Sequence, residues 1–519
     1  MKRKNNIGVV GGFMVHSVLT GAVYGVGGYP VTVEVDMAEG LPCIDMVGFL
    51  GSEVKESGDR VRVALKNIGY TMPPKRFTVN LSPAGIRKGG SAFDVPIAMA
   101  VLACMGRLVL PKPGKIMAVG ELGLDGGVRG IKGILPILLM AKEKGIEACI
   151  IPECNRREGE CIEGIKVIGV ETFHEVIDYV DDPAAFEKPE EKNPFKRKKK
   201  NAQQKMPDFA DIIGQSVAKR AAEIAAAGFH NLLLSGPPGT GKSMLAAAMP
   251  GILPPMSKEE MLDTSKVYSV AGLLNEDAYF IEERPFLSPH HTVTPQALIG
   301  GGTIPKPGLI SLANHGVLFL DELPEMKRQT LDMLRQPMEE GKVTITRKSG
   351  SYTYPCDFML VAAMNPCPCG YFPDQNRCSC SEKEVHRYIH SISGPVLNRI
   401  DLSVSVMRNS YESIRRQEKK EMSKEIRKRV LKARKMQQMR NGKNMFNSRI
   451  PASQIDLLCR MTKEAERIVR KYYSTKDLSI RGYHRLLRVA RTIADLEESE
   501  WIGSGHILEA ASYRGMLDG

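Results

Sequence analysis

Nowhere in its 519 residues does the chain offer the ~20 uninterrupted apolar residues that a membrane helix requires, which excludes a spanning segment of that kind. A secretion signal is lacking as well. Lys2, Arg3 and Lys4 precede an apolar stretch from Ile7, but seven glycines up to Gly28 break it and no A-x-A cleavage site follows. The eleven cysteines are odd in number and unevenly spread, unlike a secreted disulfide framework, so the expected compartment is the cytoplasm. There is no internal repeat. With 43% hydrophobic and 25% charged residues the composition is that of a soluble globular protein, and the length implies two to four domains.

Charge is concentrated rather than spread. The net charge is +13, and Lys192 to Lys205 carries seven basic residues and no acid. Ile414 to Arg449 carries fourteen basic residues against Glu418, Glu421 and Glu425. The rest of the chain is therefore slightly acidic. Focused positive charge favours a polyanion, nucleic acid before acidic membrane, although solvated basic segments without a specific role would look the same.

Hydrophobic periodicity divides the chain. Residues 1–180 mix strand and helix patterns: strands at Val31–Val35, Phe77–Leu81 and Ala148–Ile151, helices at Val54–Ile68, Ser91–Leu108 and Ile134–Lys144, and a last helix near Glu175. Residues 181–206 have the proline and like-charge runs of a linker. Residues 207–406 alternate strand and helix, the pattern of a parallel sheet with crossover helices, and 407–519 read as helical, with Met422, Ile426 and Val430 at helical spacing.

The sharpest motif is Gly236-Pro237-Pro238-Gly239-Thr240-Gly241-Lys242-Ser243, between the apolar run Leu232–Leu234 and an Ala-rich helical run. Strand, glycine loop and helix form the context of a P-loop. Its glycines let backbone N–H groups turn toward phosphates; Lys242 would reach the terminal phosphates and Ser243 would hold Mg²⁺. A second strand, Val317–Leu320, ends in Asp321 and Glu322. Standing alone, the acids would suit a helix N-terminus. Some eighty residues after a P-loop they suit a Mg²⁺-orienting carboxylate and a general base for the attacking water. Asn365 follows a third strand, where its amide could hold the water or the γ-phosphate, or form a turn before Pro366.

These features together resemble the AAA+ ATPases. RPFLSPHHT (284–292), ALIGGG (297–302), GVLFLDELPE (316–325), AAMNPCPCG (362–370) and SGPVLNRIDL (393–402) resemble their magnesium-chelatase branch, and 477–496 extend the match into a helical lid. The resemblance implies ATP and Mg²⁺ as cofactors, Asn365 as sensor 1, Ile213 within Asp211–Gly214 as part of the adenine pocket, Arg399 as an arginine finger and Arg481 as the sensor-2 arginine. A finger acts across a subunit interface, so a homo-hexameric ring is implied. Asn398 and Leu287 depart from the usual Asp and Arg of these relatives.

Residues 83–95 and 119–145 resemble the Lon-type Ser/Lys protease domain, with Ser91 at the nucleophile position. The base lysine is missing: Leu135 and Ile137 stand where lysines would be, and Lys132 and Lys142 fall too early and too late. A protease-inactive scaffold or partner-binding cap is expected. A Lon-like domain fused to a magnesium-chelatase-like module is the arrangement of the YifB/ComM family. That resemblance implies a DNA-dependent ring ATPase, acting as a helicase or branch-migration factor in recombination or natural transformation. The alternatives are a magnesium-chelatase-like motor and a protein-remodelling ATPase.

Two insertions bear on DNA. Gly300–Lys306 reads as a flexible loop with the cation Lys306, and Lys342–Pro355 as a β-hairpin with Arg347 and Lys348 at its tip and Tyr352 and Tyr354 in its second strand. Cations would track phosphates and aromatics would stack on single-stranded or branched DNA without sequence specificity, or the hairpin is an ordinary solvated surface. The basic helix at 415–435 would extend that surface. Finally, Cys367, Cys369, Cys378 and Cys380 form C-x-C-x₈-C-x-C, which could close a structural Zn²⁺ site or hold free thiols or a labile disulfide.

Overall fold

The computed structural model describes residues 15–112, 114–184, 186, 207–274, 279–348, 350–374, 376–408, 420–443, 445–476 and 478–515. The linker reading of 181–206 lies mostly outside them. So does the 415–419 part of the basic helix.

Two sheets organise the chain. The first has seven strands in the order Cys43–Val47, Arg76–Ser82, Gly27–Ala38, His16–Tyr24, Ile116–Ala118, Ala148–Pro152, Lys166–Val170. In the long strand Gly27–Ala38, Val31, Val33 and Val35 are fully buried in one core with the helix Asp94–Cys104, while Thr32 and Glu34 between them are half-buried; the helix Ile134–Glu143 packs on the opposite face against Leu19 and Val23. The glycine-interrupted stretch near the amino terminus contains the strand His16–Tyr24, paired antiparallel with Gly27–Ala38. Two expected helices are shorter than their periodicity suggests. Val54–Ile68 is split at Glu56 into Ser52–Lys55 and Ser57–Asn67, and Asp94–Cys104 leaves Ser91 in the preceding loop.

The second sheet is wholly parallel, in the order Phe286–Leu287, Val317–Leu320, Met359–Met364, Leu232–Ser235, Leu402–Ser405. Its inner strands are buried at every position, because helices cover both faces and leave no side for polar residues. Burying each such leucine or valine contributes ~1.5–3 kcal/mol. The arrangement sets the strand leading into Gly236 between the strand ending at Met364 and the strand that follows Arg399. Leu287 occupies the edge strand, in register with Leu318.

Helices dominate after Met407: Ser423–Asn441, Lys463–Lys476, Ile480–Leu496 and Ser504–Ser512. Ser479 caps Ile480–Leu496, its hydroxyl accepting from the Gly482 N–H at 3.1 Å. The buried face of that helix, Leu486, Leu487, Ala490, Ile493 and Ala494, packs into the same core as Leu232 and Leu234.

The two sheet bodies touch. Gly133 N–H donates to the Ser269 carbonyl at 3.0 Å, and the Ser269 hydroxyl bonds the carboxylate of Glu158. Among the described residues no helix is long and apolar enough to cross a membrane.

Candidate functional site

The loop Gly236–Gly241 leaves its strand, turns through Gly239 at φ +75° and Gly241 at φ +89°, and enters the helix Lys242–Ala248. Both angles lie where a side chain is disfavoured, which is why glycine is needed. No atom stands within 4 Å of where a β-carbon would be at either position, so the mouth of the loop is open to a group the size of a phosphate.

Lys242 is the buried cation beneath that mouth. Its Nζ donates to the carbonyls of Gly236 (2.6 Å) and Pro237 (3.0 Å) and to Oδ1 of Asn365 (3.1 Å). Burial pushes the ammonium below its ordinary value, with Asp321 opposing. Three neutral acceptors and one nearby carboxylate leave this cation short of negative charge, which suits an anionic ligand. The Ser243 hydroxyl donates to Asp321 Oδ2 at 2.8 Å, so a hydroxyl from the first turn of the helix Lys242–Ala248 and a carboxylate that follows the strand Val317–Leu320 converge as a Mg²⁺ site requires. These residues fit a Mg²⁺–nucleoside triphosphate. Thr240 bonds the Pro237 carbonyl at 2.9 Å and stiffens the loop.

Glu322 sits at φ +50°, directly after the strand, and its carboxylate lies 2.8 Å from Nδ1 of His291. Ile213 is exposed, as is Met407, and Gln215 links the two segments by donating to the Met407 carbonyl at 2.5 Å. That bond holds the two exposed apolar residues on adjoining segments.

Arg399 is held on its own chain, by Oε1 of Glu339 at 2.5 Å and by the Pro395 carbonyl at 2.7 Å. Its backbone is fixed from behind. Asn231 donates to the Arg399 carbonyl (2.8 Å) and accepts from Leu360 N–H (2.9 Å), while Asp401 accepts from Asn231 N–H (3.1 Å). Burial would raise the Asp401 carboxyl, but His230, Arg485 and the Asn231 N–H hold it below its usual value. Arg485 also donates to the Ile400 carbonyl at 3.1 Å, tying the helix that carries Arg481 to this segment. Arg481 itself is exposed, and its carbonyl accepts from Nε of Arg485 at 3.4 Å. The positioning groups Asn231, His230 and Glu339, and the partner His291, were missed by sequence reasoning. Only the His-Asn pair directly before the P-loop strand was a visible signal.

The two basic insertions form one structure. Gly300–Gly301 pairs with Lys306–Pro307 as a small ribbon, and Lys342–Arg347 pairs with Gly350–Pro355. The Tyr354 hydroxyl donates to the Pro305 carbonyl at 2.5 Å, joining them. Lys306, Arg347 and Lys348 are exposed. The stacking role expected of the tyrosines does not hold. Tyr354 is buried, and Tyr352 is buried against Tyr24 of the first sheet with ring centroids 4.6 Å apart. The loop Gly300–Lys306 is likewise a paired ribbon rather than a free loop. On the helix Ser423–Asn441 three of the cations are paired within the chain: Arg429 with Glu223 and Glu421, Lys432 with Glu498, and Arg440 with Asp495.

In the first body, the Ser91 hydroxyl donates to the carboxylate of Glu121. Leu135 and Ile137 are buried in the helix Ile134–Glu143, Lys132 lies over Gly272, and Lys142 lies beside Gly164.

The fold and the phosphate loop define a P-loop ATPase of the AAA+ class, joined to a mixed α/β domain and a helical carboxyl-terminal region. Comparison with known proteins narrows this. Residues 208–414 match the family described as magnesium chelatase, subunit ChlI; 33–155 match subunit ChlI of Mg-chelatase; 420–514 match the ChlI C-terminal family. The chain is 41% identical to competence protein ComM of Haemophilus influenzae over 94% of its own length and 95% of the relative's. It is 40% identical to the YifB protein of Escherichia coli over 96% of each. A more distant similarity, 26% identity over 36% of the chain, is to Lon protease 2 of Bacillus subtilis. The chain belongs to the YifB/ComM family.

Proposed function

We propose that this chain is an ATP-driven motor that assembles as a homo-hexameric ring and acts on DNA, as a helicase or branch-migration factor in recombination or natural transformation. The observation that carries the reading is the pair of adjoining insertions presenting Lys306, Arg347 and Lys348 to solvent on the same chain as the open phosphate loop. Cations so placed bind a phosphate backbone irrespective of sequence. A relative bearing the name competence protein supports the reading of a role in natural transformation.

In this reading Lys242 and the glycine loop bind the triphosphate, and Ile213 covers the base. Asn365 and Glu322 orient and deprotonate the attacking water. Ser243 and Asp321 hold Mg²⁺, whose charge offsets that of the phosphates. Arg399 leaves Glu339 for the nucleotide of the adjacent subunit, and Arg481 contacts the nucleotide from the lid. Such a finger contributes ~10³–10⁵ in rate in phosphoryl-transfer enzymes.

The test is ATP turnover with and without single-stranded DNA. A several-fold stimulation by DNA that disappears in Lys242→Ala supports the motor; turnover indifferent to DNA but raised by a protein client supports remodelling instead.

A further inference from the structure

The segment between Asn365 and the helix Glu382–His390 gathers four thiols that nucleotide chemistry does not use. The Sγ atoms of Cys367, Cys369, Cys378 and Cys380 all lie within 4.8 Å of one another. Cys367 and Cys369 are 3.3 Å apart, Cys369 and Cys378 3.5 Å, and Cys367 and Cys378 3.7 Å. One tetrahedral Zn²⁺ with Zn–S bonds of ~2.3 Å holds its sulfurs ~3.8 Å apart. A multi-iron core also takes four thiolates but must spread them around several metal atoms, so the close approach seen here favours a single ion.

The backbone is shaped for such a ligand. Gly370 turns at φ +85°, with its N–H on the Cys367 carbonyl at 3.0 Å, which brings the first C-x-C pair back on itself. The Phe372 N–H donates to Cys367 Sγ at 3.3 Å, the type of second contact that stabilises a thiolate ligand. The Cys378 N–H bonds the Asp374 carbonyl at 2.8 Å and brings the second pair over the first. Cys367 is fully buried and the other three are partly so, as expected of a closed site with no position left for substrate.

We infer that these four thiolates hold one structural zinc ion, and that the ion fixes the loop that buttresses the phosphate site. The second half rests on the nucleotide reading above. A β-carbon at Gly370 would stand 2.8 Å from Cδ of Pro238 and 3.8 Å from Cγ of Asn365, so the zinc loop abuts the P-loop and the sensor residue at once. Beyond Cys380, Ser391 at the end of the next helix donates to the Pro324 carbonyl at 3.2 Å, two residues past Glu322. The ion thus braces the chain between Asn365 and the segment that follows Glu322.

The experiment is elemental analysis of the full chain, purified under reducing conditions without chelator, together with zinc release followed by a colorimetric indicator during titration with a thiol-blocking reagent. One zinc per chain is expected, released as the four thiols are blocked. The Cys378→Ser/Cys380→Ser double variant is expected to lose it. Reconstitution with cobalt should give the visible bands of tetrahedral thiolate coordination, which does not depend on the variant's folding. Absence of zinc from folded wild type after reloading, full zinc retention in the double variant, iron with inorganic sulfide, or a disulfide in place of free thiols would each overturn the site. Binding of a fluorescent ATP analogue should weaken at least several-fold in the zinc-free protein, and unchanged affinity overturns the buttress. Zinc-loaded wild type that binds no nucleotide would instead count against the nucleotide reading, leaving the metal site standing.

Discussion

His291 Nδ1 lies 2.8 Å from the carboxylate of Glu322, the residue proposed to activate water. A carboxylate engaged by its own chain is less available to a water molecule. The pair is partly exposed, His291 at 30% and Glu322 at 52% of their side-chain surface, so the contact contributes ~0.2–1 kcal/mol. His291→Ala is therefore expected to raise DNA-free ATP turnover by up to ~5-fold and to reduce the relative stimulation by DNA. A fall in DNA-free turnover would mean that His291 assists the chemistry rather than restraining it.

Lys242 holds Gly236, Pro237 and Asn365 from one buried ammonium. Lys242→Ala removes the loop's charge and its tether to the sensor residue. ATP turnover is expected to fall by at least ~10²-fold, the cost of losing one preorganised donor to developing charge. Secondary structure by circular dichroism should be unchanged.

Arg399 and Glu339 provide a test of assembly. If Arg399 serves a neighbouring subunit, Arg399→Ala and Lys242→Ala chains are each inactive alone. Mixed in equal amounts they should recover a fraction of turnover, because some interfaces then pair an intact loop with an intact finger. No recovery from rings shown to exchange subunits would place Arg399 outside the neighbour's site.

Glu158 links the two bodies through Ser269, and burial pushes its carboxyl up to about 7 against hydrogen bonds from Ser269, Asn155 and Leu135. The packed chain thus keeps a proton that the unfolded chain releases near the ordinary value of 4.5. This contribution is fully present below ~4.5 and is lost as pH rises through about 7, a change of at most ~3 kcal/mol. Thermal unfolding of Glu158→Gln should lack that loss, so the variant should be more stable than wild type at pH 8. Equal pH slopes for both proteins would contradict the assignment.

The phosphate loop, the acids after Val317–Leu320 and Asn365 were legible in the chain because each is local: a few residues on one strand-to-loop junction specify the chemistry. The second sheet was legible as well, since its strands are unbroken apolar runs. Contacts made at long range were not. Nothing near Tyr352 indicates that Tyr24, more than three hundred residues earlier, buries it, and alternating tyrosines on a hairpin look the same whether they face solvent or a neighbouring domain. The strand His16–Tyr24 was obscured by glycines that permit close packing: at Gly21 a β-carbon would meet Ile137. That Arg429, Lys432 and Arg440 of Ser423–Asn441 are paired was not visible because their carboxylate partners Glu223, Glu498 and Asp495 are distant in sequence.

Arg347→Ala/Lys348→Ala should weaken DNA binding similarly for all sequences and flatten its dependence on salt, since each phosphate contact removed lowers the slope by ~0.7 for single strands. Equal salt slopes for variant and wild type would remove these residues from the interface.

The central claim, that ATP hydrolysis drives movement on DNA, is tested most directly by strand displacement from a forked duplex with ATP and Mg²⁺ present. The account predicts displacement that requires hydrolysable ATP and falls steeply as Lys242→Ala subunits are mixed into the ring. Assembled, ATP-hydrolysing protein that leaves the fork intact would contradict it.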